Sequence, residues 1–148
     1  MQGGQANAGS GFITDVTVEI GGQQIDKHSG LFMEVDAELN EKHYGQCATD
    51  TDKSGTNFQN MSGMGGSDAA AHGGGATRCW VPLRFWFNRN PGLALPLIAL
   101  QYHEVKVKFS LGNGATAAQG LNLFCDYIYL DTDERRRFAQ VSHEYLIE

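Results

Sequence analysis

Cysteine and proline are scarce: three of each stand in 148 residues. Cys47, Cys79 and Cys125 lie far apart, with no CxxC and no Cys/His spacing of a zinc site, so they read as reduced thiols. No long apolar run exists. The longest, residues 93–100, contains Pro96 and falls well short of the ~18–20 apolar residues of a membrane helix, so no membrane insertion is expected. A basic surplus is missing too. The formal net charge of −6 argues against nucleic acid as a specific partner. Gly73-Gly74-Gly75 is not followed by GK[ST], and no GxSxG occurs, so neither a phosphate-binding loop nor a nucleophile elbow is present. The five histidines are scattered. His103 and Glu104 are adjacent, which on a strand sends them to opposite faces rather than to one metal. An enzyme is the least supported class, and no cofactor or metal is expected.

What is present is a β pattern. Hydrophobic residues make up 41%, enough for one core, and 19 glycines point to many turns. Residues 1–11 (MQGGQANAGSG) lack the basic start and apolar centre of a signal peptide and read as a flexible arm. From Phe12 the chain alternates: Thr14, Val16, Val18 and Ile20 on one face, Ile13, Asp15, Thr17 and Glu19 on the other. Gly21-Gly22 predicts a turn into a short return strand at Gln23, Gln24 and Ile25. Leu31, Phe32, Val35 and Leu39 then recur at helical spacing, with Ser29 as a candidate N-cap. Residues 43–77 carry no period and read as a long Gly-rich loop.

Order returns near Arg78. Residues 79–88 alternate with large apolar groups on both faces, which predicts a strand buried on both sides. Asn90-Pro91-Gly92 makes a turn, and residues 102–111 alternate cleanly. Residues 121–130 predict a further strand with apolar groups on both faces, and 138–147 a last one. The count is about six strands, one or two short helices and one long loop. That is an all-β sandwich or barrel, two strands short of an eight-stranded jelly roll.

The densest charge cluster is Asp131, Asp133 and Glu134 followed by Arg135, Arg136 and Arg137. It is either a solvated turn with local ion pairs or a salt-bridge network between subunits or larger assemblies; a patch contacting nucleic acid is a poorer third reading, because the acids beside the arginines would weaken phosphate binding. Asn60-Met61-Ser62 fits an N-glycosylation sequon, a short motif that often occurs by chance. Trp80, Phe85, Trp86 and Phe87 suit core or interface packing better than a stacking platform for bases or sugars.

Four segments carry a resemblance: VTVEIGGQQIDKH (16–28), VPLRFWFNRNPGLALPLIALQYHEV (81–105), LFCDYIYLDTDERRRFAQ (123–140) and HEYLI (143–147). In this order they resemble the major capsid proteins of the nucleocytoplasmic large DNA viruses, the group of the iridoviruses and phycodnaviruses. The resemblance implies two tandem jelly rolls, of which residues 12–148 match a truncated first one. It further implies trimeric, pseudo-hexagonal capsomers tiling an icosahedral shell. The partners it implies are other copies of the chain, neighbouring capsomers or minor capsid proteins. It also implies a place in the virion, assembled in the host cytoplasm, with loop 43–77 on an exposed or inter-capsomer surface. The competing readings are a minor capsid or cement protein with one jelly roll, and a sugar-binding jelly-roll module.

Overall fold

The computed structural model describes residues 8–41, 56–66, 79–112 and 121–147. Three strands form one antiparallel sheet: β1 (Ile13–Ile20), β2 (Gln23–Ser29) and β3 (Val105–Leu111), in the order β2-β1-β3. β1 is central because its period-two apolar set meets a matching set on β3. Val16 lies opposite Phe109, Val18 opposite Val107 and Ile20 opposite Val105. Val16 and Val18 are fully buried, each contributing about 1.5–3 kcal/mol of transfer free energy.

A register shift between Ile13 and Asp15 corrects the expected face. The extra residue of a β-bulge reverses side-chain direction on one side of it. Ile13 therefore turns into the core while Thr14 is exposed. Gly21 and Gly22 make the turn with φ of 61° and 83°, a left-handed conformation that costs glycine little. The return strand β2 runs on to Ser29, longer than expected, and a second shift beside Val18 sets aside Ile25. On the solvent side, Asp15 accepts from Ser110 Oγ at 2.8 Å and pairs with Lys27 at 3.4 Å, while Glu19 pairs with Lys108.

Helix α2 (Gly30–Asn40) follows at once, after a helical turn α1 (Ala8–Gly11) placed before the sheet. Ser29 caps α2 as expected, its side chain accepting the Phe32 N–H at 3.0 Å. The buried face is not the expected one. Gly30, Met33 and Ala37 face the core, whereas Leu31, Val35 and Leu39 are 76%, 47% and 77% exposed. Gly30 decides this: its Cα lies so close to the backbone carbonyls of Ser10 and Ile13 that a Cβ would overlap them. With Gly30 against β1, helical spacing brings Met33 and Ala37 inward.

Residues 8–11, expected to end a loose arm, form α1 with Gly9 and Ser10 buried. Gly9 N–H donates to Gly63 O at 3.0 Å. Residues 1–7 lie outside the described residues, as do 43–55 and 67–77 of the expected loop. Its middle is ordered. Helix α3 (Asn57–Ser62) opens on a reciprocal capping box between Thr56 and Gln59 and closes at Gly63. It delivers Met64 and Ser62, both fully buried, into the core.

Two expected strands and part of a third are not found in the ladder. Residues 79–84 run extended without a ladder partner among the described residues, and α4 (Trp86–Arg89) follows. Pro82 has no N–H to give a ladder, and the segment is held instead by Trp80 N–H to Met61 O at 2.9 Å. Phe85 and Trp86 are core residues; the Phe85 ring stacks on buried His28 at 4.2 Å. Residues 121–130 are extended and almost entirely exposed, with no ladder among the described residues. Helix α5 (Thr132–Gln140) occupies the start of the expected last strand, and the tail beyond it is extended.

Candidate assembly surface

The six charged residues singled out in the sequence lie together at α5, and all six are exposed. Asp131 is the N-cap, its carboxylate accepting the Glu134 N–H at 2.8 Å. Asp133 and Glu134 fall in the first turn and Arg137 in the last, each facing the helix-dipole end of opposite sign. The turn expected at this cluster is thus a helix start, signalled by Asp131-Thr132-Asp133-Glu134 in the manner of a capping box. Arg136 approaches Asp133 at 3.8 Å. Arg135 and Arg137 make no ion pair among the described residues, so most of the guanidinium hydrogen-bonding capacity of this helix is left to solvent or to a partner.

α5 is anchored on its other side. Phe138 O meets His143 Nε2 at 2.8 Å, and the Phe138, His143 and Tyr145 rings stack in sequence at 5.3 and 6.5 Å. Beneath this tail an open, largely apolar groove of about 400 Å³ runs between Val141, Tyr145, Leu95 and Ile20.

Residues 121–130 lead directly into α5 with Phe124, Tyr127, Ile128 and Tyr129 all more than half exposed. Isolated exposed apolar side chains need no explanation, but a contiguous set marks a surface that meets another. The Phe124 ring of this segment meets Trp80 of the body at 5.0 Å. Cys125 is exposed on the same segment; Cys79 is half-buried, and burial pushes its thiol up from the ordinary range.

Two arrangements have little sequence signal. Glu34 of α2 joins three elements: one carboxylate oxygen accepts from Ser10 Oγ at 2.7 Å, the other from Gly66 N–H at 2.8 Å. Arg84 clamps the extended segment to α2 through Asp36 at 3.0 Å and also pairs with Glu41. The TNFQ capping box of α3 was readable, but the glycines around it mask it.

Asn60 lies on α3 with both side-chain amide atoms buried. A glycan there would require this helix to leave the core, contrary to the loop site the sequon suggested. Among the described residues no group of three metal-ligating side chains gathers, and no helix is long and apolar enough to cross a membrane.

Residues 4–131 match the family model described as Major capsid protein N-terminus. The chain belongs to this family. The major capsid protein of Pyramimonas orientalis virus is 49% identical over 151 residues, which cover 95% of this chain and 36% of that protein. That of Paramecium bursaria Chlorella virus 1 is 43% identical over 152 residues, covering 92% of this chain and 31% of that one. Among solved structures, PBCV-1 VP54, as fitted into a cryo-EM reconstruction of the virophage Sputnik, superposes with a TM-score of 0.66 at 37% identity. The match covers 99% of this chain and 37% of that one. The chain therefore spans about a third of the length of the relatives it matches. This likeness assigns the sheet and the extended segments around it to a partial all-β, jelly-roll fold. Helix α5 begins where the family match ends.

Proposed function

We propose that the polypeptide carrying this chain is a structural virion protein, without a catalytic role, that builds an icosahedral capsid shell by self-association. The observation that carries this reading is 49% identity, over 95% of the chain, to a protein named as a major capsid protein. The working unit is a homotrimeric, pseudo-hexameric capsomer, which meets neighbouring capsomers and minor capsid proteins. The location is the virion, after assembly in the host cytoplasm. Asp131, Asp133, Glu134, Arg135, Arg136 and Arg137 serve as inter-subunit contacts. Their exposure supports this, because surface charges become specific when a partner aligns them.

The test is peptide mapping by mass spectrometry of purified particles, with the intact mass of the polypeptide that carries LNLFCDYIYLDTDERRRFAQ. The expected result is an abundant polypeptide roughly three times as long as this chain, from the coverage of its relatives. A scarce, small species would make it a minor component instead. Absence from every particle would overturn the reading.

A further inference from the structure

We propose that His28 and Asp26 form a proton-operated latch at the junction of β2, α2 and α4: acid charges the imidazole in place, and Asp26 is the counter-charge that keeps it in the core. His28 is 3% exposed, and its ring lies between those of Phe85 at 4.2 Å and Phe32 at 5.0 Å. Its Nε2 is buried and has no hydrogen-bond partner among the described residues. A neutral imidazole gains nothing there in either tautomer, because Nε2 is then a donor without an acceptor or an acceptor without a donor. This burial comes from β2, α2 and α4 themselves, so it does not depend on which further segments a longer polypeptide carries.

Asp26 stands two residues before His28 and on the same, core-facing side of β2, opposite Val18 as His28 is opposite Val16. Its side chain is only 12% exposed. One carboxylate oxygen accepts the Lys27 N–H at 2.7 Å, and the other lies 3.8 Å from His28 Nε2. That is too long for a hydrogen bond but close enough for a charge pair. The other charges around the junction are engaged or point away. On α2, Glu34 accepts from Ser10 and Gly66, and Asp36 pairs with Arg84. Arg84, beside Phe85, also serves Glu41. Lys27 turns to Asp15 on the opposite face of the sheet, while Glu38 of α2 and Arg89 of α4 are exposed. Among the described residues, Asp26 and His28 form an ion pair only with each other. When the imidazole takes a proton from solvent, Nε2–H donates toward the Asp26 carboxylate and two aromatic faces flank the cation. Without Asp26, the same proton would be a buried charge with no counter-charge, which the folded state disfavours.

The test uses the full-length polypeptide and reads amide hydrogen exchange by mass spectrometry in peptides covering residues 23–35. Exchange is corrected for its intrinsic pH dependence and compared at about pH 8 and about pH 5, either side of the ordinary histidine range. Asp26→Asn keeps an oxygen to accept the Lys27 N–H and removes only the charge. It should match the parent at about pH 8 and lose protection roughly tenfold or more at about pH 5. The unfolded segment binds the proton more readily than a folded site without a counter-charge, so stability of this variant falls as pH drops through the histidine range. Adding His28→Phe, which fills the slot between the two rings without a titrating group, should abolish the acid-specific loss. An acid response of Asp26→Asn equal to the parent's would overturn the latch. So would a loss already complete at about pH 8, or one that persists in the double variant, since either makes Asp26 a structural group alone.

Discussion

The guanidinium of Arg84 lies 3.0 Å from the Asp36 carboxylate and also pairs with Glu41, pinning the unladdered segment before α4 to the second helix. Removing the cation leaves two partly buried carboxylates without their shared partner. Arg84→Ala should destabilise the protein by about 1–3 kcal/mol, typical of a lost charged hydrogen-bond partner. Adding Asp36→Asn should recover part of this. Urea denaturation of the single and double variants checks the pair; equal midpoints for Arg84→Ala and the parent would exclude the clamp.

Met64 tests whether the middle of the Gly-rich stretch belongs to the core. It is fully buried, whereas Met61 three residues earlier is half exposed. Met64→Ala should cost about 2–5 kcal/mol through lost burial and the cavity left behind. Met61→Ala should cost far less. Similar melting temperatures for the two variants would contradict the packing of α3.

Gly30 and Gly11 form a second contrast. A Cβ at Gly30 would overlap the carbonyls of Ile13 and Ser10, while one at Gly11 meets open space. Gly30→Ala should push α2 off β1 and destabilise by roughly 1–3 kcal/mol, as overpacking does. Gly11→Ala should be near neutral. Thermal melts of both variants decide it.

Burial raises the Cys79 thiol above its ordinary value, and Cys125 is exposed. The thiolate is the reactive form, so at mildly alkaline pH iodoacetamide should modify Cys125 first and Cys79 only as the pH is raised further. The native state keeps the Cys79 proton longer than the unfolded chain does. Its contribution to stability is therefore complete below the unfolded thiol's range and is lost as pH climbs into and beyond that range. Peptide mapping across a pH series reads the order; simultaneous labelling would contradict the burial.

Both amide atoms of Asn60 are buried, so the folded protein is expected to carry no glycan there. Treatment with an endoglycosidase should leave the intact mass unchanged, and a mass loss would show that α3 does not pack as described.

The strands β1, β2 and β3 and the turn at Gly21-Gly22 were legible because alternation and glycine chemistry are local. The Ser29 cap was legible for the same reason: the group it satisfies is three residues away. The capping signals at Thr56 and Asp131 were also local, but a glycine-rich context hid one and an apolar alternation downstream outweighed the other. Local pattern failed where a partner had to be chosen. α2 has two faces that could enter a core, and only the close approach of Gly30 to β1 selects Met33 and Ala37 over Leu31, Val35 and Leu39. Residues 79–88 and 121–130 have the alternation of strands, yet a strand exists only when another backbone takes its hydrogen bonds. The sequence by itself therefore determined the family, the sheet's central strands and the charge of α5. Tertiary structure alone decided which apolar surfaces are core and which stay exposed, because burial depends on contacts between residues far apart in the chain.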